Sequence, residues 1–500
     1  MTELCDLSAT EARSLIGQKQ ISPVELTESC IRRIEEVNPA VNAVVAHDFA
    51  AARAQARQQE QAVVRGETLG PLHGLPLGVK DMIDAAGLPT SCGSLSRKDY
   101  LPEKDERLVR VLREAGANVL GKTNVPEWGA GGNSRNPVYG TTGNPFDTTK
   151  SAAGSSGGSA AGLASGMFPI ATGSDTGGSL RNPAAFNGVV GFRPTAGLIP
   201  AEKRGTAWLQ ISTLGPMART VEDVATLFTV MMGEDKSDPL AHTVHGRTMR
   251  HAREFTPIAP LDLSAQRVAL TTDFGFAPTE TGVAETFIEK TGRFKQVFNC
   301  AEFATPDCSG TDEAFEKIRS LMFLTGTREL YQRDPSQVGE NVRLNVEEGL
   351  RYTAQDIARG LDLQTQIYRR WQLFFDDYDF MLSPSVTISP RPWTELYPKE
   401  INGQATRTYY HWLALAYAST IAGLPSVSLP VGVDQYGMPF GLQIIGPRGG
   451  DVQLLRMAYA LQEQLKGSPS TARPVPDIAA LKRARPIADM PDFYLPVGQG

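Results

Sequence analysis

The feature that most restricts the fold of this chain is a glycine- and serine-rich stretch that is interrupted by apolar residues. Residues 151–180 contain eight Gly and seven Ser, half of the window. A flexible linker would share this composition, but Leu163, Phe168 and Ile170 give the pattern of a helix followed by a strand. The glycines therefore permit positive φ angles and a close approach of the backbone to a ligand. The stretch predicts a functional loop.

Apolar runs of strand length alternate with helical patterns elsewhere, which favours an α/β fold. Capping boxes at Ser8 and Ser22 predict helices within the first 70 residues. The strands predicted from apolar runs are 75–79, 118–120, 168–171, 267–271, 379–384, 427–433 and 440–446. The helical patterns cover 50–64, 106–115, 159–165, 219–232, most of 311–378, and 452–466.

Composition argues against several kinds of partner. The chain of 500 residues has 49 Lys+Arg and 55 Asp+Glu, for a net charge of −6, and it contains no cationic run. We therefore expect no nucleic-acid surface. Residues 409–433 are uncharged, but Gly423, Pro425 and Pro430 divide them, which predicts a core helix and a buried strand rather than a membrane span.

Cysteine usage and the N-terminal sequence favour a cytoplasmic protein. The five cysteines are spread from Cys5 to Cys308 with no C-x-x-C pair, so neither a disulfide framework nor a structural zinc site is expected. The first residues are acidic and contain no apolar run of the kind found in a secretory signal.

Two generic motifs match the sequence but lack the required context. Residues 116–123 fit the P-loop pattern, yet a helix precedes them and Pro126 prevents the helix that should follow. Residues 154–158 fit the nucleophile elbow around Ser156, which requires a later acid and a histidine. The histidines that follow are His242, His245 and His251, in a polar stretch typical of a surface loop, and His411, for which a core or pocket position is favoured.

A lysine at the end of a predicted buried strand is a candidate base. Lys80 follows the apolar run 75–79 directly and precedes Asp81. Most lysines are solvated surface cations, but partial burial here would lower the pKa of the amine towards neutrality. The sequence therefore permits Lys80 to act as a proton acceptor.

Three segments in order resemble the amidase signature family. They are Gly-Val-Lys-Asp around Lys80, Ala-Gly-Ser-Ser-Gly-Gly-Ser-Ala-Ala around Ser155, and Gly-Ser-Asp-Thr-Gly-Gly-Ser-Leu-Arg around Ser179. The similarity runs from about residue 72 to 232 and resumes near 379 and over 422–446. It implies a Ser–cis-Ser–Lys triad in which Ser179 is the nucleophile, Ser155 follows a cis peptide bond and relays the proton, and Lys80 is the base.

The resemblance also implies a fold and a reaction. The expected fold is one α/β domain with a central mixed β-sheet covered by helices on both faces, and the expected reaction is hydrolysis of an amide C–N bond through an acyl-enzyme. Its parts would be a helical N-terminal segment (1–70), a catalytic core (71–232), a variable substrate-shaping region (233–400), a return to the core sheet (401–466) and a surface tail (467–500).

The residues around Ser179 suggest how the site is completed. The backbone N–H groups of Thr176, Gly177, Gly178 and Ser179 can form an anion-binding nest for the oxyanion. Supporting roles are expected for Ser156, Asp175 and Arg181. The segment Trp128, Gly129, Ala130 and Gly131 matches the pocket loop of the family, and the variable parts that could shape the pocket contain Trp208, Ile211, Phe323, Leu324, Tyr409 and His411.

The substrate remains open between related classes. Because these variable parts hold no cationic cluster, a small-molecule amide with a bulky apolar or aryl group is preferred; carbamates (urethanes), anilides and esters are close in chemistry. The alternatives are the glutaminase-type A subunit of a tRNA-dependent amidotransferase and a non-catalytic binding protein on the same scaffold. No metal or organic cofactor is implied, and a homodimer is compatible with the resemblance.

Overall fold

The protein is described from a computed structural model, which covers residues 3–241, 243–244, 247–248 and 250–496. His242 and His245, considered above as loop residues, lie outside these ranges, as do residues 497–500 of the predicted tail.

The N-terminal helices begin at the predicted capping residues. The Ser8 hydroxyl accepts from the Glu11 N–H, and the Ser22 hydroxyl accepts from the Glu25 N–H. The helices are α1 (Ala9–Gly17), α2 (Pro23–Val41), α3 (Phe49–Arg65), α4 (Arg107–Glu114), α5 (Gly157–Ala164), α6 (Arg181–Asn187), α7 (Val221–Met231), α8 (Thr281–Phe294), α9 (Thr311–Arg333), α10 (Glu340–Arg351), α11 (Ala354–Phe374), α12 (Ala414–Ile421), α13 (Asp451–Leu465) and α14 (Ile478–Leu481).

Strands from both halves of the chain form one eleven-stranded sheet. They are β1 (Val44–His47), β2 (Pro76–Lys80), β3 (Asn118–Thr123), β4 (Ile170–Asp175), β5 (Val190–Arg193), β6 (Thr213–Ala218), β7 (Arg267–Leu270), β8 (Cys300–Phe303), β9 (Phe380–Pro384), β10 (Ser426–Val433) and β11 (Pro439–Ile445). Their spatial order is β1-β3-β2-β4-β6-β5-β10-β11-β9-β7-β8. The C-terminal strands β10 and β11 thus lie inside the sheet, with β10 next to β5 from the first half of the chain, which confirms a single domain rather than a chain of separate ones.

The strand directions bring three charged residues to one edge of the sheet. β2 and β4 are parallel, and the antiparallel strand β6 separates β4 from β5, so all three run the same way. Lys80, Asp175 and Arg193 are the last residues of β2, β4 and β5. These three residues therefore lie on the same side of the sheet, at the carboxyl-terminal ends of the strands, where the loops that follow the strands also lie.

Helices cover both faces of the sheet, as expected from the sequence. Gly191 and Phe192 are consecutive residues of β5 and point to opposite faces. A Cβ on Gly191 would lie 2.9 Å from Cβ of Ala184 in α6. The Phe192 ring packs edge-on against Phe228 of α7, with ring centroids 5.1 Å apart. The mixed sheet is consequently buried between two helical layers.

Four strands of the sheet were not predicted from the apolar patterns of the sequence. β1 and β8 lie at the two edges, and β5 and β6 lie near the centre. In β6, Gly215 and Pro216 interrupt the apolar run, although the strand pairs in register with β4 from Thr213 to Ala218. The predicted strand 168–171 is displaced, because the chain becomes extended only from Ile170 and continues to Asp175.

The middle of the chain forms a helical layer beside the carboxyl-terminal ends of β2, β4 and β5. Helices α9, α10 and α11 pack together, and the Phe315 ring of α9 stacks on Tyr417 of α12 with ring centroids 4.2 Å apart. Pro425 stands between α12 and β10, so residues 409–433 divide into a helix and a strand as predicted. Across the described part of the chain, none of the helices has the length and apolar character needed to cross a membrane.

Candidate active site

Lys80 lies at the centre of a cluster of serine hydroxyls. Its amine is fully buried, and Nζ lies 2.7 Å from Oγ of Ser155, 2.9 Å from Oγ of Ser156 and 2.8 Å from Oγ of Ser174. Burial lowers the pKa of the Lys80 amine from 10.5 to about 7, while the negative charge of Asp175 acts in the opposite direction. Near neutral pH a large fraction of this lysine therefore carries a free lone pair.

The glycine-rich segment before α5 presents Ser155 and Ser156 to this lysine. The peptide bond between Gly154 and Ser155 is cis. Gly158, in the first turn of α5, lies so close to β3 that a Cβ there would be 2.2 Å from the Asn124 nitrogen. Only glycine fits this contact, which places the start of α5 directly beside the end of β3, the strand adjacent to β2.

The loop after β4 carries Ser179. Its carbonyl oxygen accepts from the Ser156 N–H at 3.3 Å, so the two serine-bearing segments are adjacent, and its side chain is half-buried. Gly178 has a φ of +102°, which favours glycine. Its N–H donates to Oδ1 of Asp175 at 2.9 Å. Within the described residues, the N–H groups of Gly177 and Ser179 have no protein acceptor and remain available.

Two arginines hold Asp175 ionised beneath this loop. Burial alone would raise the pKa of the carboxyl, but Arg181 and Arg193 outweigh burial and keep the pKa well below its usual range. Nη2 of Arg181 lies 2.9 Å from Oδ1 of Asp175, and Nη1 of Arg193 lies 3.2 Å from the same oxygen. The carboxylate can therefore accept from the backbone N–H groups of Gly178 and Leu180.

Sequence reasoning missed two members of this site. Arg193 was not identified because the strand β5 that ends at it was not predicted and its partner Asp175 is 18 residues away. Ser174 was not predicted, because the motif that contains it was interpreted through its glycines and through Ser179. Strand alternation does place Ser174 one residue from Asp175 on the opposite face, towards Lys80.

The loop Glu127–Gly129 reaches the same cluster. Trp128 adopts the left-handed conformation (φ +51°), and its N–H donates to the Cys92 carbonyl at 2.7 Å. A Cβ on Gly129 would lie 2.8 Å from Sδ of Met82 and 3.4 Å from Oγ of Ser155. A side chain at position 129 would therefore collide with the site. Ala130 and Gly131 follow, and the Ala130 carbonyl accepts from Nδ2 of Asn341.

The other candidates from the sequence are distributed differently. Ile211 and Tyr409 are buried, whereas Trp208 is 77% exposed and cannot wall a closed pocket in this conformation. His411 lies beside Arg407 and 4.0 Å from Asp312, and burial lowers the pKa of its imidazole. The partners of the Ser156 hydroxyl are Lys80 and the Ser174 backbone, so the residues at 154–158 are not arranged as a serine–histidine elbow.

The segment that fits the P-loop pattern is part of the sheet. Lys122 lies within β3, fully buried, and donates to the Ile83 carbonyl and to Oγ1 of Thr90. Its ammonium is also 3.6 Å from Oδ1 of Asp81. This lysine therefore has internal partners and does not face a phosphate-binding loop.

The mixed sheet and the buried cluster of Lys80 with its serine hydroxyls define an α/β protein with a hydrolase-type site. The sequence can be compared with known protein families on this basis. A family model described as Amidase matches residues 25–455. The chain therefore belongs to the amidase family and is an amidohydrolase acting on amide C–N bonds, as the sequence motifs implied.

Relatives of more than one activity resemble the chain. An acylamidase from Rhodococcus erythropolis is 32% identical, covering 90% of this chain and 94% of its own. A glutamyl-tRNA(Gln) amidotransferase A-type subunit from Clostridium acetobutylicum is 29% identical, covering 92% and 100%. A bacterial aryl acylamidase structure superposes with a TM-score of 0.85 and 27% identity, covering 96% of this chain and 99% of that one.

Proposed function

We propose that the protein hydrolyses an uncharged amide with an apolar or aryl group through an acyl-enzyme on Ser179. Ser155 takes the Ser179 proton and passes its own to the neutral Lys80 amine, while Oγ of Ser179 bonds to the carbonyl carbon. The proton then returns through Ser155 to the nitrogen of the breaking C–N bond, and the amine leaves. Water attacks the acyl-enzyme by the same relay and releases the carboxylate.

The observation that carries this proposal is the set of contacts around Lys80. A fully buried amine whose pKa lies near 7 is a base matched to neutral pH. Its nearest hydroxyl, at 2.7 Å, belongs to Ser155. Lys122 differs in that it has the Asp81 carboxylate and the Ile83 carbonyl as partners besides the Thr90 hydroxyl.

The oxyanion is proposed to lie against the N–H groups of Gly177 and Ser179. Donors of this kind stabilise the tetrahedral intermediate most when the protein holds them in place beforehand. The Gly178 N–H was expected to take part from the sequence, but it donates to Asp175. The proposed role of Gly178, Asp175 and Arg181 is therefore to fix the loop that carries the free N–H donors, which in the described part of the chain also include that of Thr176.

The experiment is active-site labelling with a fluorophosphonate, followed by mass spectrometry of the modified peptide. We expect one adduct on Ser179 and none in Ser179→Ala. With an aryl amide substrate, an acyl-enzyme should be trapped on Ser179 at short reaction times. Ser156→Ala is a matched control, because it removes a neighbouring hydroxyl and should still be labelled. Labelling of Ser156 instead, or of no serine, would contradict the proposal.

A second candidate is the release of ammonia from glutamine, as performed by the A subunit of an amidotransferase. It is supported by the similarity to the Clostridium acetobutylicum protein over nearly the whole chain. A panel of aryl amide, carbamate, ester and free glutamine separates the two candidates. We expect kcat/KM to be highest for the aryl amide or carbamate, and dominant turnover of glutamine would favour the second candidate.

A further inference from the structure

Asn182 lies in the first turn of α6, three residues after Ser179, and its side chain is buried. Nδ2 of Asn182 donates to the Gly177 carbonyl at 3.3 Å. The backbone N–H of the same residue donates to the Gly178 carbonyl at 2.7 Å. One residue therefore holds two consecutive carbonyls of the loop in which the oxyanion donors are proposed to lie.

The Gly177 carbonyl depends on this side chain. Among the described residues, no other group donates to it. Only the NH2 group of a carboxamide can donate, so the orientation of the Asn182 amide is defined. A Cβ on Gly178 would lie 2.5 Å from Nδ2 and 2.6 Å from Oδ1 of Asn182, and 2.4 Å from Cβ of Ala416. The amide thus packs closely against the backbone of the loop, and this contact requires glycine at position 178.

These bonds set the direction of the free N–H of Ser179. The peptide unit between Gly178 and Ser179 is planar and trans, so its C=O and its N–H point in opposite directions. Because the C=O is directed to the Asn182 backbone, the Ser179 N–H is directed away from Asn182. The preceding peptide unit has its N–H on Asp175 and its C=O on the Asn182 side chain. Without the side-chain bond, this unit would be held at one end only, and its rotation would redirect the donors on either side.

The second polar atom of the Asn182 side chain is not used. Oδ1 is buried, and no donor among the described residues reaches it. A buried acceptor without a partner costs stability, which an apolar side chain of the same shape would avoid. Leucine would therefore serve better than asparagine if the side chain only filled space beneath the loop. The unused oxygen points to a role for Nδ2 in holding the Gly177 carbonyl.

We propose that Asn182 is a positioning residue for the oxyanion: its side chain fixes the Gly177 carbonyl, so that the N–H groups of Gly177 and Ser179 stay directed at the tetrahedral intermediate. The inference rests on the proposed hydrolysis through Ser179. Asn182 acts through the loop and not by contact with the reacting atoms. Donors held in place beforehand stabilise the transition state more than the bound substrate, so loss of the side chain should lower kcat and leave KM nearly unchanged.

The test replaces Asn182 by leucine, which keeps the branched shape and removes both polar atoms. With an aryl amide, Asn182→Leu should lower kcat at least about tenfold and change KM by less than about threefold. An alkylboronic acid forms a tetrahedral, anionic adduct with a serine nucleophile, so its inhibition constant should rise by about the factor by which kcat falls. The inflection of kcat/KM near pH 7 should stay in place, because the contacts of Lys80 are unchanged. Rates are compared per folded molecule, as determined by circular dichroism.

The matched control is Asn118→Leu, which removes an amide that is as buried as that of Asn182. Asn118 is the first residue of β3, at the opposite end of the sheet from Lys80. Its Nδ2 donates to the Thr27 hydroxyl and to the Ala52 carbonyl. This variant should keep kcat, KM and the inhibition constant of the boronic acid as in the wild type, per folded molecule.

Asn182→Ala is the second variant, because it introduces no new group, and it should show the same fall in kcat without a rise in KM. The proposal is overturned if kcat does not fall, if KM rises as kcat falls, if the boronic acid still binds as in the wild type, or if the inflection near pH 7 moves. Absence of folded protein from both variants would make Asn182 a requirement of the fold and would also overturn it. Failure of the fluorophosphonate to label Ser179 in the wild type would instead contradict the proposed function itself.

Discussion

Lys80 and Lys122 are two buried lysines on neighbouring parallel strands, and they differ in their partners. In the register of the sheet, Lys80 pairs with Thr123 and Val79 pairs with Lys122, so the two amines project from opposite faces. Lys80 is surrounded by three hydroxyls, whereas Lys122 has the Asp81 carboxylate, a hydroxyl and a carbonyl.

The difference shows that burial alone does not make a lysine a base. Burial lowers the pKa of both amines, but Asp81 raises that of Lys122 in return. Strand alternation is responsible, because Asp81 follows Lys80 and points to the other face, towards Lys122. Asp81, which follows Lys80 in the sequence, thus forms an ion pair with Lys122, and Lys80 is left without a contacting carboxylate.

The largest expected effect separates the two lysines by activity. Lys80→Met should lower kcat/KM by about 10²–10⁴-fold, because the general base is lost. Lys122→Met should lower activity per folded molecule by less than about tenfold. Rates normalised to the folded fraction of each preparation, determined by circular dichroism, provide the measurement. Similar losses in both variants would mean that Lys122 also takes part in the chemistry.

The free energy of unfolding should respond in the opposite sense. Lys122→Met leaves the buried Asp81 carboxylate unpaired and should cost about 3–5 kcal/mol. Lys80→Met removes a charge that is unfavourable to bury and should stabilise the protein by about 1 kcal/mol, since the loss of hydrogen bonds offsets part of the gain.

Urea denaturation at pH 7 measures both values. Asp81→Asn should recover part of the loss when combined with Lys122→Met, because it removes the unpaired charge. If Lys80→Met were as destabilising as Lys122→Met, the two lysines would both be structural, and the comparison would fail.

The pH dependence of activity should follow the titration of Lys80. Because the neutral amine is the base and its pKa is about 7, kcat/KM should rise about tenfold per pH unit below 7 and level off above it. Stability should also rise between about pH 7 and 10.5, where only the unfolded chain holds this proton. Lys80→Met should lack this contribution to the stability curve, which denaturation at several pH values would show. An activity profile with no inflection near 7 would contradict the role of Lys80.

The sequence predicts the lysine and serines of this site better than it predicts what holds them. Lys80 and Ser179 lie in local patterns, an apolar strand followed by a cation and a glycine-rich loop, that can be recognised without the fold. The pairing of Lys122 with Asp81, 41 residues apart, follows from the register of β2 and β3, which no local pattern states.

The same reasoning explains what was missed in the fold. β6 contains Gly215 and Pro216, so its apolar alternation is broken, and only pairing with β4 and β5 makes it a strand. The commitment of the Gly178 N–H to Asp175 likewise depends on a turn geometry that composition does not specify.

The smallest expected effect compares one hydroxyl beside each lysine. Ser174→Ala removes an acceptor that favours the charged Lys80 amine, so the inflection in kcat/KM should move to lower pH by a few tenths of a unit. The maximal rate should fall only a few-fold, because Ser155 and Ser156 remain in place. Thr90→Val removes the corresponding hydroxyl from Lys122 and should reduce stability by about 1 kcal/mol without moving the inflection. A shift in Thr90→Val, or a shift to higher pH in Ser174→Ala, would show that the two lysines are coupled across the sheet rather than set independently by their own partners.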